Sequence, residues 1–362
     1  MRELWLDAAA LKHNLQQVKL RAPHCKILAM VKANAYGHGL AWAAPHLQAA
    51  GADGFGVASL SEADTLDQLA LNRPIVLMSG IQNEAELQHV LAHQYAMVVH
   101  NLWQLQLLEQ SKTNRPITIW LKVDTGMHRL GFAPDQVKDV WQRLNKLSFV
   151  QKPIILTTHF SDANEVHQLK TAKQLMLFNL TKATLPSDAS LLASLANSAG
   201  ILSWPETHAD WVRPGIMLYG ASPFSSNAAS EYQLKPVSTV RTRIIALKEL
   251  ASGSEVGYGG TFTCPKPMRV AVVAFGYGDG YPWHAHLSKV FIKGNCCPVI
   301  GRISMDMLHV DVTDLPNVTL HDIVTLWGED LPIEKLALSS GTISYEIFTH
   351  LQRHRLTVHE KN

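Results

Sequence analysis

Lys32 closes the apolar run Ile27-Leu28-Ala29-Met30-Val31 and is followed by Ala33-Asn34-Ala35-Tyr36-Gly37-His38-Gly39. A lysine at the end of a buried strand is partly withdrawn from water. Desolvation lowers its pKa and makes the neutral amine available, which Schiff-base chemistry with a carbonyl requires. The two glycines let the backbone turn close to a ligand. A strand-end lysine taken alone reads as a side chain that snorkels to solvent. Its companions change that reading. Lys122 ends a second apolar run, with Asp124, His128 and Arg129 just beyond it. His159 ends a third, Asn197-Ser198 follow a fourth, and Arg213-Pro214-Gly215-Ile216 lie within a fifth.

The elements that would position these residues follow from periodicity. Eight short apolar runs cover residues 27–31, 54–58, 75–79, 96–99, 117–123, 154–158, 191–196 and 211–218. Amphipathic stretches separate several of them: 39–50, 60–70, 84–93, 102–110, 134–145 and 166–183. Continuously apolar strands alternating with helices mark a parallel sheet covered on both faces. Eight such units predict an α/β fold with a (β/α)8 barrel. After Tyr219 the composition shifts. A Ser-, Ala- and Asn-rich stretch, 221–230, reads as a linker. Strand-like runs follow at 237–247, 268–275, 289–292, 299–303, 308–312 and 323–327, with a short helix at 343–351. The expected domains are a barrel over residues 1–230 and a mostly β domain over 231–362.

In such barrels the active site lies at the C-terminal ends of the strands. Lys32, Lys122, His159, Asn197-Ser198 and Arg213 all fall there. Core packing alone does not explain five such residues on one rim. A phosphate often rests on backbone N–H groups after the seventh and eighth strands of these barrels. Asn197-Ser198-Ala199-Gly200 and Gly215-Ile216 occupy those positions. A ligand with a phosphate at one end and a carbonyl at the other fits, and pyridoxal 5′-phosphate is such a ligand.

Composition narrows the remaining classes. The chain has 362 residues, 47% hydrophobic and 17% charged, with a formal net charge of +2. Near-neutrality argues against nucleic acid or a membrane surface held by a basic field. No apolar stretch approaches the roughly 18 residues of a membrane span. Asp7 interrupts the N-terminus where a signal peptide would need apolar residues, so a cytoplasmic protein is expected. Four cysteines without a Cys-x-x-Cys pattern point to neither zinc nor redox chemistry. Of 18 histidines, His284 and His286 could share a strand face, but no third ligand is near in sequence, so no metal is expected there.

The chain resembles the alanine racemases over nearly its whole length. The resemblance rests on residues 32–39, 122–131, 158–161, 196–199, 213–220, 257–262, 276–281, 302–306 and 344–346, in that order. One departure is His128, where the family more often has glycine before the matching arginine. The resemblance implies that Lys32 holds pyridoxal 5′-phosphate covalently and is one of two acid–base groups. Tyr258, reaching over from the partner subunit of a homodimer, is the other. Arg213 would face the pyridine nitrogen and His159 would pack on the ring. Tyr36, Ser198, Gly215, Ile216 and Tyr345 would contact the phosphate, with Asn197 beside them. Arg129 and the partner's Met305 would receive the substrate carboxylate, and Tyr277 would stand at the way in. Lys122 resembles a lysine that is carbamylated in many members.

Bland readings accompany some of these. Tyr345 fits a core tyrosine with a satisfied hydroxyl. Met305 fits a core filler, and Asp279, between two glycines, fits a turn former. The activity expected is interconversion of L- and D-alanine by two bases, supplying D-alanine for peptidoglycan or degrading it. The alternatives are a serine or broader amino-acid racemase on the same fold, and a non-catalytic pyridoxal-phosphate-binding protein, against which residues 237–362 argue.

Overall fold

The computed structural model describes residues 2–165, 167, 169–186, 191–225 and 227–361. Val166, where one helix is expected to begin, and Ser226, in the expected linker, lie outside the described residues. The chain divides into two compact units. One comprises residues 15–35 and 39–218, the other residues 1–14, 36–38 and 219–362.

The chain starts with strand β1 (Glu3–Asp7), which belongs to the second unit. The first unit is a closed eight-stranded parallel barrel: β2 (Lys26–Met30), β3 (Gly54–Val57), β4 (Ile75–Leu77), β5 (Ala96–Val99), β6 (Ile119–Lys122), β7 (Ile154–Thr157), β8 (Leu191–Ser194) and β9 (Trp211–Val212). Every strand lies within an apolar run identified from the sequence or overlaps all but one residue of it. Full burial of most strand residues explains why these runs do not alternate. Close register demands a glycine at position 56. A Cβ there would meet Met30 Sδ on the paired strand at 2.6 Å. Trp120 and Trp211 meet edge to face, 5.7 Å between centroids, an arrangement that adds about 0.5–1.5 kcal/mol to simple burial.

The eighth run shortens on folding. Only Trp211 and Val212 are strand, and a 3-10 turn over Ile216–Tyr219 replaces the rest. Pro214 cannot donate to a ladder and Gly215 favours a bend. Helices Leu40–Ala50, Leu60–Gln68, Glu84–His93, Leu102–Gln110, Val137–Lys146 and Lys170–Ala183 cover the barrel. Asn83 and Asn101 each cap a helix through the side chain.

In the second unit, β10 (Ser238–Leu250) is the backbone of an eight-stranded sheet. Around it lie β13 (Met268–Val273), β14 (Lys289–Ile292), β15 (Asn295–Ile300), β16 (Leu308–Asp311) and β17 (Ile323–Trp327), together with β1 and β18 (Thr357–Lys361). The strand β11 (Glu255–Val256) pairs with β12 (Phe262–Thr263) around the loop that carries Tyr258. β1 pairs antiparallel with β10 and parallel with β18. Neither β1 nor β18 was expected: each is only five residues long, β18 forming the sheet edge and β1 lying between it and β10. Among the described residues, no helix is long and apolar enough to cross a membrane.

Candidate active site

Arg213 follows β9 and is buried. Its guanidinium donates to Ser194 Oγ at 2.6 Å, Thr158 O at 2.6 Å, Thr157 Oγ1 at 3.1 Å and Leu195 O at 3.1 Å. All of these acceptors are neutral and sit at the ends of β7 and β8. Burial pushes its pKa down to about 10, so it stays charged at neutral pH. Its NH2 group also lies 3.4 Å from His159 Nδ1. Burial, then the charges of Lys122, Arg213, Arg129 and Lys32, hold the His159 imidazole far below its ordinary pKa. His159 is therefore a neutral ring able to accept from Arg213.

Lys32 lies directly after β2. Burial lowers its pKa, Arg129 lowers it further, and Glu62 opposes both. The backbone beyond it is unusual. Ala33, Asn34, Ala35 and Tyr36 all have φ between 52° and 54°, a left-handed turn of four non-glycine residues. Each such residue is disfavoured by roughly 1–2 kcal/mol. Side-chain hydrogen bonds hold the turn. Glu62 Oε1 accepts from Ala33 N at 2.5 Å and Asn34 N at 3.4 Å, and Asn34 Oδ1 accepts from Leu40 N at 2.7 Å.

Lys122 ends β6. Burial, then Arg213 and Arg129, depress its pKa strongly, with Asp124 opposing. Asp124 Oδ1 accepts from Gly126 N at 2.9 Å and His128 N at 3.0 Å. His128 itself has φ +55°. That left-handed position is one glycine fills without strain, which gives a physical meaning to the departure at this residue. Arg129 is exposed.

The loops after β8 and β9 are joined by one hydroxyl. Ser198 Oγ accepts from Gly215 N at 2.9 Å and from Met217 N at 3.4 Å. Asn197 caps the short helix Ser198–Ser203 by accepting from Gly200 N at 3.0 Å. Ile216 is buried beside them in sequence.

Five predicted residues belong to the second unit by themselves. Tyr36 stacks on Tyr219 at 4.9 Å and lies 6.0 Å from the Tyr345 ring. Burial raises the pKa of both Tyr36 and Tyr345, so both phenols are donors at neutral pH. Tyr277 and Met305 are brought together by the backbone: Tyr277 N donates to Ser304 O at 3.1 Å and Gly278 N to Met305 O at 2.8 Å. Tyr258 is 70% exposed, Met305 54% and Tyr277 42%. Asp279 does form a turn, and it does more. Its buried carboxylate binds Arg2 at 2.9 Å and Arg355 at 3.1 Å and accepts from Gly276 N. Arg355 also binds Asp306, next to Met305.

Two contributors were missed from the sequence. Glu62 stands three residues after Ser59, a spacing that reads as an ordinary capping box. Ser59 does cap Glu62 N, but the carboxylate is turned to the Lys32 turn and to Ala58 N. His100 ends β5, feels the Lys122 charge and bonds Ser79 O at 3.0 Å.

The barrel mouth thus gathers Lys32, Lys122, Arg129 and Arg213 around a neutral imidazole. Of the carboxylates among the described residues, Glu62 acts on Lys32 and Asp124 on Lys122. Such a surplus calls for an anionic ligand. The donor set fits pyridoxal 5′-phosphate: a desolvated amine for its aldehyde, hydroxyl and backbone groups for its phosphate, and a cation without a carboxylate for its ring. A (β/α)8 barrel with a strand-end amine and anion-binding loops after its last strands defines a lysine-bearing barrel enzyme acting on a small anionic substrate.

Residues 6–223 match the alanine racemase N-terminal domain, and residues 237–359 the alanine racemase C-terminal domain. The chain is 44% identical over 347 residues to the alanine racemase of Aeromonas hydrophila, covering 96% of each. The biosynthetic alanine racemase of Pseudomonas aeruginosa superposes with a TM-score of 0.95 at 37% identity, covering 100% of this chain and 99% of that one. That of Bartonella henselae, solved with covalently bound pyridoxal phosphate, gives 0.88 at 28%, covering 99% of each. The chain belongs to the alanine racemase family.

Proposed function

We propose that this chain interconverts L- and D-alanine with pyridoxal 5′-phosphate held at the barrel mouth by Lys32, and that Lys32 and Tyr258 are its two proton-transfer groups. The observation that carries the reading is the cluster of Lys32, Lys122, Arg129 and Arg213 about neutral His159. When bound, the cofactor draws electron density from the substrate α-carbon and so acidifies its proton.

The residues do the rest. Lys32 Nζ, its pKa lowered chiefly by burial, takes or returns the proton on one face of the α-carbon. The partner's Tyr258 does so on the other. A single base would have to cross the substrate plane. Arg213 cannot give up its proton at neutral pH, so it donates a hydrogen bond to the ring without protonating it. His159 packs on the ring as a neutral imidazole. Ser198, Gly215, Ile216, Tyr36 and Tyr345 hold the phosphate, with Asn197 fixing the loop. Arg129 and the partner's Met305 receive the substrate carboxylate, and Tyr277 lines its way in. Lys122, whose pKa burial holds well below the ordinary lysine value, is in its neutral form a nucleophile for carbon dioxide. Amine plus carbon dioxide gives a carbamate and a proton, and that anion would fix Arg129.

A homodimer is part of the same reading. Tyr258, Tyr277, Met305 and Met307 are each at least 41% exposed, and the Tyr277 and Met305 loops are tied to each other. These are side chains that a second copy would cover.

The test is the half-reaction. In Tyr258→Phe, single-turnover release of tritium from α-labelled D-alanine should persist, while release from L-alanine should fall by about 100-fold or more. Equal loss from both enantiomers would make Tyr258 a positioning residue. Borohydride should fix the cofactor to Lys32, and its capture on another lysine would overturn that assignment.

A further inference from the structure

Helix Leu60–Gln68 and helix Glu84–His93 face each other outside the barrel mouth with a set of side chains the racemase reaction does not use. Asp64 and Asp67 stand three apart on the first. His89 and His93 stand four apart on the second, so both rings project from one face. The two rings stack at 4.4 Å. His89 Nε2 lies 2.7 Å from Asp64 Oδ1, and His93 Nδ1 lies 2.9 Å from Asp67 Oδ2. One ligand atom from each of Asp64, His89 and His93 falls within 4.8 Å of the other two.

Ion pairing alone leaves this cluster incomplete. Among the described residues, no lysine or arginine forms a salt bridge with Asp64 or Asp67. Two carboxylates and two imidazole rings therefore share one small patch between the helices. The acids are also held in place. The buried Tyr95 donates its hydroxyl to Asp64 Oδ1 at 2.9 Å. An outer hydrogen bond of this kind orients a metal-binding carboxylate.

We propose that Asp64, His89 and His93 form a three-ligand binding site for a borderline divalent cation, Zn2+ before others, with water as the fourth donor, that clips the two helices together. Imidazole nitrogen with carboxylate oxygen in a four-coordinate array is a zinc donor set. The hard ions Mg2+ and Ca2+ prefer all-oxygen sites. A bound dication offsets the Asp64 charge and takes the place of the hydrogen bond Asp64 now makes to His89.

The experiment uses the holoenzyme after treatment with EDTA and gel filtration, at pH 7.5. Titration with ZnCl2 should show one ion per chain with micromolar affinity. His93→Gln and, separately, Asp64→Asn should weaken binding by about tenfold or more. Both variants should retain racemase turnover, which also reports that they fold. Co2+ in place of Zn2+ should give the intense visible bands of a four-coordinate ion in the unaltered protein, a readout that needs no variant. Absence of stoichiometric Zn2+ binding, or a Co2+ spectrum no stronger than that of the aqueous ion, would overturn the site. Binding undiminished in both variants would also overturn it, because the ion would then sit on other groups.

Discussion

The carboxylate of Glu62 accepts the backbone N–H of Ala33 at 2.5 Å, one residue beyond Lys32, the proposed cofactor lysine. The same carboxylate accepts from Ala58 N at 2.9 Å. One acid therefore ties the ends of β2 and β3 together, holds a left-handed turn that no glycine relieves, and sets a negative charge against Lys32. Its role is to position Lys32 and hold its amine's pKa up.

Glu62→Gln keeps the shape and removes the charge. Glu62 raises the Lys32 pKa, so its loss should lower it, and the acid limb of the kcat profile should move to lower pH. Glu62→Ala removes the acceptors as well. Each charged hydrogen bond is worth about 1.5–3 kcal/mol, and kcat should fall with little change in KM. An unmoved pH profile in Glu62→Gln would leave Glu62 with a purely structural role.

Lys122 makes a prediction about stability. Its folded pKa is depressed well below the ordinary value, chiefly by burial. Unfolded, it binds a proton up to about pH 10.4. Between those two values the unfolded chain holds more protons, so its contribution to stability rises with pH. In buffer free of carbon dioxide, Lys122→Met should therefore stabilise the protein more at pH 7.5 than at pH 9.0. The difference is bounded at about 2 kcal/mol, from 1.36 kcal/mol per pH unit. Urea unfolding midpoints at the two pH values measure it. Bicarbonate should reduce the difference if a carbamate forms.

His128 should prefer glycine on backbone grounds. Its φ is +55°, and its ring contact with Asp124 at 3.2 Å involves a side chain that is 83% exposed, so that contact adds little. Comparing His128→Gly with His128→Ala isolates the backbone. The glycine variant should be the more stable by about 1 kcal/mol. Equal unfolding free energies would mean that the loop relaxes without strain.

The proposed homodimer, with Lys32 and Tyr258 of different subunits in one site, predicts complementation. Lys32→Ala and Tyr258→Phe should each be inactive as homodimers. Unfolded together and refolded at equal concentration, half the dimers are mixed and each has one intact site. About a quarter of the unaltered activity should return. A verified mixed dimer without activity would place both groups within one chain.

Much of this was legible in the sequence because burial on both faces leaves a simple trace. The eight apolar runs could be only a covered parallel sheet, and the polar residues at their ends had to share one rim. Lys32, Lys122, His159 and Arg213 could thus be grouped before any contact was known. The short strands β1 and β18 left no such trace, because each has only five residues and most of their side chains are incompletely buried. Tertiary structure alone decided three things. It turned Glu62 from an apparent helix cap into the clamp on the Lys32 turn. It surrounded Arg213 with neutral acceptors, which fixes its charge and keeps His159 neutral. It also brought Asp64 and Asp67 against His89 and His93, two helices apart from any motif. Each of these depends on a contact between residues from different elements. Local spacing encodes which face a residue takes, whereas its partner across the fold is set only when the barrel closes.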